Sequence, residues 1–188
     1  SPLHDARPVE GMHRLSELIL CGKINLRGDA SDTQFCKAVE TVTGLALPFD
    51  ANTSIANNRF QLFWLGPDEW LLHLDLQQLE TTLTALRADM ESIHHAITDV
   101  SDYFTVLTLS GPQSQEILAS GTPLDIREAH FKAGQCAQTL FGHASILLWR
   151  HDAQSYRMQV RWSYAQYLYT YLEQSIQNTE ALTAFNQQ

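Results

Sequence analysis

Cysteine, positive charge and long apolar runs are all scarce in this chain of 188 residues. Its three cysteines, Cys21, Cys36 and Cys136, are too few and too odd for a disulfide framework, so we expect reduced thiols. No apolar run approaches the roughly 20 residues of a membrane helix, and the first residues lack the apolar core of a signal peptide. These absences predict a cytoplasmic protein that does not enter a membrane.

The balance of charge narrows the possible partners further. Twelve Lys and Arg stand against 21 Asp and Glu, which gives a formal net charge of −9. An acidic surface repels phosphate backbones and anionic lipid heads, so nucleic acid and membranes are poor partners. Charged residues make up only 18% of the chain, below the roughly 25% of an average domain. A surface covered by a protein partner would explain this, and so would the Gln and Thr content.

Signatures of catalysis, cofactor binding and metal binding are missing from the sequence. His94 and His95 precede Asp99, but adjacent side chains point in different directions on a helix or a strand and do not converge on one ion. No CxxC or HExxH motif occurs. Gly111 lies between a predicted strand and helix, where anions bind, yet the further glycines of a GxGxxG motif are absent. We therefore predict no catalytic, cofactor-binding or metal-binding residue in this chain.

A weak internal repeat predicts the architecture. The segments INLRGDASDTQFCKAV and LTLSGPQSQEILAS share a strand, a glycine, a polar cap and an amphipathic helix, with Gly28 and Gly111 83 residues apart. Each segment is followed by strand-like alternation and then by a closing helix. We predict an α+β fold of duplicated βαββα-like halves, with antiparallel sheets backed by helices. The halves cover about residues 21–95 and 96–188 of a single domain, after an N-terminal extension at 1–20.

Aromatic residues are the candidates for a partner surface. Five lie at predicted strand ends or helix margins, namely Trp64, Trp70, Trp149, Trp162 and Tyr169. Trp and Tyr are common at interfaces because one end of each ring system is apolar and the other is polar. The alternative is that all five belong to the core. We expect at least two of them to be substantially exposed. Two capping-box patterns, Ser31–Gln34 and Ser163–Gln166, mark predicted helix starts.

Four segments resemble the gamma subunit of heterotetrameric sarcosine oxidase. They are LGPDEWLL (65–72), DVSDYFTVLTLSGPQSQEILASGTPLDI (99–126), CAQTLFGHASILLWR (136–150) and VRWSYAQYLYTYLE (160–173). Together with the leading SPLHDA, the resemblance covers most of the chain. The central segment is also similar to the folate-binding fold of the glycine-cleavage T-protein, which is a duplicated α+β domain.

The resemblance implies a bacterial complex that demethylates sarcosine to glycine, with hydrogen peroxide and either formaldehyde or methylenetetrahydrofolate as further products. It places FAD, FMN, NAD and zinc on partner subunits and none on this chain. The implied partners are the alpha, beta and delta subunits, chiefly alpha, and the gamma chain is expected to be non-catalytic. One alternative is a stand-alone folate-binding protein or aminomethyl-transfer enzyme, for which Asp99, Asp102, Arg157 and Arg161 are conceivable ligand contacts. Another alternative is a subunit of a related amine-demethylating oxidase.

Overall fold

The computed structural model describes residues 1–19 and 21–186, and the chain divides into two compact units. We call Leu20–Asp102 the central unit, and Ser1–Ile19 together with Tyr103–Gln188 the terminal unit. The division lies between residues 102 and 103, seven residues beyond the predicted boundary at 95/96. The predicted N-terminal extension at 1–20 also needs correction, because residues 1–19 belong to the terminal unit.

Ten strands and four α-helices make up the described part of the chain. The strands are β1 (Arg14–Glu17), β2 (Cys21–Gly28), β3 (Ser54–Ala56), β4 (Phe60–Gly66), β5 (Glu69–Asp75), β6 (His95–Asp99), β7 (Phe104–Ser110), β8 (Cys136–Phe141), β9 (Ala144–Asp152) and β10 (Ser155–Arg161). The helices are α1 (Thr33–Thr43), α2 (Leu79–Asp89), α3 (Ser114–Ala119) and α4 (Ala165–Asn186). Short 3₁₀ helices, Leu76–Gln78 and Trp162–Tyr164, lead directly into α2 and α4.

The two units have the same sheet order. The central sheet runs β3-β4-β5-β2-β6 and the terminal sheet runs β8-β9-β10-β7-β1, and neighbouring strands in both are antiparallel. In each unit the chain passes from the second-last strand of this order through a helix to a three-strand meander and a closing helix. The remaining edge strand is β6 in the central unit and β1 in the terminal unit. The prediction of duplicated α+β halves is confirmed, with one edge strand added to each half.

The strand register shows which residues of the two units correspond. Cys21 pairs with Asp75, the last residue before one 3₁₀ helix, and Phe104 pairs with Arg161, the last residue before the other. Gly28 and Gly111 each lie seven residues beyond these strand starts.

Hydrogen bonds at the two glycines agree with that correspondence. The Gly28 amide donates to the Asp68 carbonyl oxygen at 3.1 Å, and the Gly111 amide donates to the Gln154 carbonyl oxygen at 3.0 Å. Asp68 and Gln154 each immediately precede the last strand of a meander. The predicted equivalence of the two glycines, at a strand end before a helix, is therefore confirmed.

The two predicted capping boxes have different outcomes. Asp32, one residue after the predicted cap, accepts hydrogen bonds from the amides of Gln34 at 2.8 Å and Phe35 at 3.4 Å at the start of α1. The second box, at Ser163–Gln166, is wrong because residues 162–164 form a 3₁₀ turn and α4 begins at Ala165. Both helices thus begin one or more residues after the start that the capping-box pattern predicts.

Each unit has its own apolar core between its sheet and its helices. The central core includes Phe35, Leu62 and Leu72. The terminal core includes Phe141 and Met158 together with α4 residues. None of the described helices has the length and apolar character needed to cross a membrane.

Candidate partner surface

Three of the five predicted surface aromatics lie in the core, which corrects the sequence-based expectation. Trp70 is 0% exposed, and Trp149 and Tyr169 are also buried. The Trp70 indole Nε1 donates to the Pro48 carbonyl oxygen at 2.8 Å, and the Tyr169 hydroxyl donates to the Arg7 carbonyl oxygen at 2.6 Å. Partners within the fold satisfy the polar ends of these two rings.

Trp162 is the exposed member of the five, at 43% of its surface. It begins the 3₁₀ helix that follows β10, so its ring lies outside the alternation of the strand. Trp64 is half-buried and packs against the central core. The expectation of at least two substantially exposed rings is therefore not met.

Trp162 begins a group of exposed aromatic residues, which we call the aromatic patch: Trp162, Tyr164 and Tyr167. The rings of Tyr164 and Tyr167 meet edge to face with centroids 6.4 Å apart. Nearby in sequence, the Arg161 guanidinium lies 5.3 Å from the centroid of the exposed Tyr103 ring. An exposed group of aromatic rings beside a stacked arginine is typical of a protein interface.

A tight turn holds Tyr167 in the patch. The Tyr167 hydroxyl accepts a hydrogen bond from the His143 amide at 3.2 Å. Gly142 has φ +55°, and a Cβ on it would lie 2.3 Å from the Tyr167 hydroxyl oxygen. Glycine at this turn therefore permits both the left-handed backbone and the close approach of the tyrosine.

The central unit has an open pocket of about 580 Å³ at the end of β2. It is lined by Arg27, Gly28, Asp29, Ala30, Pro67, Asp68, His94, His95 and Ala96. The Arg27 guanidinium is paired with Glu69 at 2.6 Å. Hydrogen bonds from the Ser31 hydroxyl and amide lower the pKa of the Asp29 carboxyl. Two of its charged groups are thus already engaged within the fold.

His94, His95 and Asp99 do not come together as a set of metal ligands in the structure. His95 and Asp99 stand at opposite ends of β6, about 13 Å apart at the rise of an extended strand. The His95 ring Nδ1 lies 2.7 Å from the Ile93 carbonyl oxygen. Within residues 1–19 and 21–186, no group of three or more His, Cys, Asp or Glu is placed to hold a metal ion.

Burial of Tyr169 predicts a loss of stability at alkaline pH. Burial raises the pKa of the Tyr169 phenol, and the nearby Glu173 carboxylate raises it further. Because the folded-state pKa of Tyr169 lies above the unfolded value of about 10, this contribution to stability is complete below pH 10 or so. It is lost as the pH rises from there through the raised pKa of the folded state. Urea unfolding at pH 8 and pH 10.5 should show a smaller decrease for Tyr169→Phe than for the wild type. An equal decrease in both proteins would contradict this origin.

Comparison with known proteins identifies relatives over most of the chain. The model of the sarcosine oxidase, gamma subunit family matches residues 27–178. A sarcosine oxidase subunit gamma from Corynebacterium sp. (strain U-96) is 27% identical over 154 residues, covering 81% of this chain and 74% of the relative. The corresponding subunit from Corynebacterium sp. (strain P-1) is 26% identical over 159 residues, covering 84% and 76%.

Solved structures give the same result at the level of the fold. A chain of the heterotetrameric sarcosine oxidase from Corynebacterium sp. U-96, in complex with pyrrole 2-carboxylate, matches with a TM-score of 0.87 and 25% identity, covering 95% of this chain and 94% of that one. The glycine cleavage system aminomethyltransferase T from Bartonella henselae matches with a TM-score of 0.64 and 13% identity, covering 84% of this chain and 44% of that one. The second likeness concerns the fold alone. With the family model matched over residues 27–178, the chain belongs to the sarcosine oxidase gamma subunit family.

Proposed function

We propose that this chain is an accessory subunit of a heterotetrameric sarcosine oxidase and has no catalytic site of its own. The observation that carries the proposal is the match of 95% of this chain to 94% of one chain of a solved heterotetrameric sarcosine oxidase. Agreement over nearly the full length of both chains means that this protein has the same fold as that component of the complex. The likeness to an aminomethyltransferase at 13% identity gives the alternative of a stand-alone folate protein no support beyond the fold.

The proposal assigns the chemistry to other subunits. FAD, FMN, NAD and zinc would be held by the alpha, beta and delta subunits in the cytoplasm, and this chain would contact chiefly alpha. The purified chain is then expected to be colourless and to release no peroxide from sarcosine. Gel filtration with absorbance at flavin wavelengths, followed by a peroxide assay, checks both points. A flavin band that stays with the chain, or peroxide release by the chain alone, would contradict the accessory role.

The aromatic patch is the surface that we propose for contact with the alpha subunit. Central interface anchors often contribute about 2 kcal/mol or more to binding, which corresponds to a roughly 30-fold change in affinity. Trp162→Ala is therefore expected to reduce recovery of alpha with a tagged gamma chain by about tenfold or more. Because the ring is exposed, the free energy of unfolding should change by less than about 0.5 kcal/mol.

A matched control for Trp162 lies in the central unit. Leu76 is the register equivalent, since it begins the other 3₁₀ helix, and its side chain is 39% exposed against 43% for Trp162. Leu76→Ala should leave recovery of alpha unchanged. If both alanine variants recover alpha as well as the wild type does, the aromatic patch is not the contact surface.

A further inference from the structure

None of the exposed residues of α4 is charged. The helix has 22 residues, none of them Lys or Arg, and its two acidic residues are half-buried. One of these, Glu180, pairs through its carboxylate with the Nδ1 of the buried His13 at 2.9 Å. The exposed positions carry amide, hydroxyl, aromatic and aliphatic side chains. We call this surface the charge-free face and define it by Thr170, Gln174, Gln177, Ala181, Leu182 and Phe185.

The duplicated fold supplies an internal comparison. Helix α2 closes the central unit as α4 closes the terminal unit, and each follows a 3₁₀ turn after the last strand of a meander. The exposed residues of α2 include Glu80, Arg87 and Asp89 within 11 residues. A helix face in contact with water normally carries such charges. Since the two helices share their place in the fold, the fold does not account for the missing charge on α4.

The second half of α4 also exposes large apolar side chains. Leu182 is 65% exposed and Phe185 is 75% exposed. The last fully buried residue of the helix is Ile176, and beyond it the contacts with the rest of the unit include the polar pairs Glu180–His13 and Thr183–Gln113. At 1.5 Å per residue the helix is about 33 Å long. Its second half is thus held to the unit mainly by one edge, while its apolar residues face outward.

Charge indicates what kind of molecule covers this face. A second copy of the chain would bring a net charge of −9 towards another −9, which opposes self-association. Interface cores are depleted in charged residues and enriched in aromatic ones. Resting on the proposed function above, we infer that the charge-free face docks against another subunit of the oxidase and not against a second copy of this chain. The surface that it contacts is likewise apolar and poor in charge. Together with the aromatic patch, the charge-free face forms one continuous contact along residues 162–186.

A pair of identical substitutions at equivalent positions tests the inference. Thr170 and Thr84 are both exposed, and each is the sixth residue of its helix. Thr170→Arg would place an unpaired charge inside the contact, where its desolvation is unfavourable. We expect recovery of the other oxidase subunits with tagged gamma chain, after co-expression of all four, to fall at least tenfold. Thr84→Arg should change recovery by less than twofold, and both variants should keep the melting temperature of the isolated chain.

Leu182→Arg, further along the same face, is expected to reduce recovery as Thr170→Arg does. If both variants bind as well as the wild type, the inference is overturned while the accessory role stands. If the wild-type chain recovers no oxidase subunit, the proposed function itself fails. If light scattering shows the isolated wild type as a dimer that Leu182→Arg makes monomeric, the occupant is a second copy, and the inference of a different subunit is overturned.

Discussion

Trp70→Ala is expected to destabilise the protein by about 3–5 kcal/mol, the usual cost of removing a fully buried aromatic side chain. The ring is 0% exposed in β5 and lies 5.7 Å from the centroid of Phe35. Truncation removes this packing and also leaves the Pro48 carbonyl oxygen without its donor, because the Trp70 Nε1 donates to it at 2.8 Å. A loss of this size is a large share of the roughly 5–15 kcal/mol that stabilises a typical protein.

Urea unfolding followed by circular dichroism measures the effect. Trp162→Ala is the matched control, because it removes the same side chain from an exposed position and should change the free energy of unfolding by less than about 0.5 kcal/mol. The two tryptophans were indistinguishable as interface candidates in the sequence. Equal destabilisation by the two variants would contradict the assignment of Trp70 to the core and Trp162 to the surface.

The sequence predicts the long strands and the repeat correctly, because both depend on local periodicity. Alternation over seven residues, as in β5 and β10, identifies a strand without knowledge of its partners. The edge strands β1, β3 and β6 have only four, three and five residues. Such short edge strands show too little periodicity, and they exist because a longer neighbour offers hydrogen-bond partners.

Long-range pairing also explains why the N-terminal residues belong to the terminal unit and do not form an extension. Residues 14–17 lie in the terminal sheet because Arg14 pairs with Ser110 and Glu17 pairs with Leu107. About 90 residues separate these partners along the chain, and no local pattern reports a contact at that distance. The sequence therefore predicts an extension here, although residues 14–17 supply the edge strand that β6 supplies in the central unit.

The aromatic residues show why surface positions are difficult to assign from sequence. A strand-end position does not reveal whether a ring faces the helices or the solvent, so the expectation of a surface position is wrong for Trp70 and Trp149. At Trp162 the chain forms a 3₁₀ turn, with about 3.0 residues per turn instead of 3.6. The spacing of an α-helix therefore does not apply at Tyr164, and its exposure beside Trp162 is seen only in the structure.

Gly111→Ala is the other substitution with a large expected effect, a loss of about 2–6 kcal/mol of stability. Gly111 has φ +138°, a conformation that costs an L residue roughly 1–3 kcal/mol. A Cβ there would also lie 2.6 Å from the His13 Cδ2 and 2.8 Å from the Met12 carbonyl oxygen. His13 is buried and held at Nδ1 by Glu180 and at Nε2 by the Gln113 amide. The ring cannot turn away without breaking these bonds, so crowding adds roughly 1–3 kcal/mol.

Alanine substitutions at two further glycines are the controls for Gly111→Ala. The free energy of unfolding in urea is measured for all three variants. Gly28 is the register equivalent of Gly111 and lies outside the left-handed region. A Cβ on Gly28 would meet the Phe35 ring at 2.5 Å, so Gly28→Ala involves crowding alone and should cost about 1–3 kcal/mol. A Cβ on Gly11 would have no neighbour nearer than 4.0 Å, the His13 carbonyl oxygen, and Gly11→Ala should change stability by less than about 0.5 kcal/mol.

The loss of stability should decrease in the order Gly111, Gly28, Gly11 if backbone strain and crowding add at the point where the N-terminal strand β1 meets β7. A Gly111→Ala variant as stable as Gly11→Ala would show that residues 12 and 13 shift at little cost, and that the N-terminal strand is only loosely held in the terminal sheet.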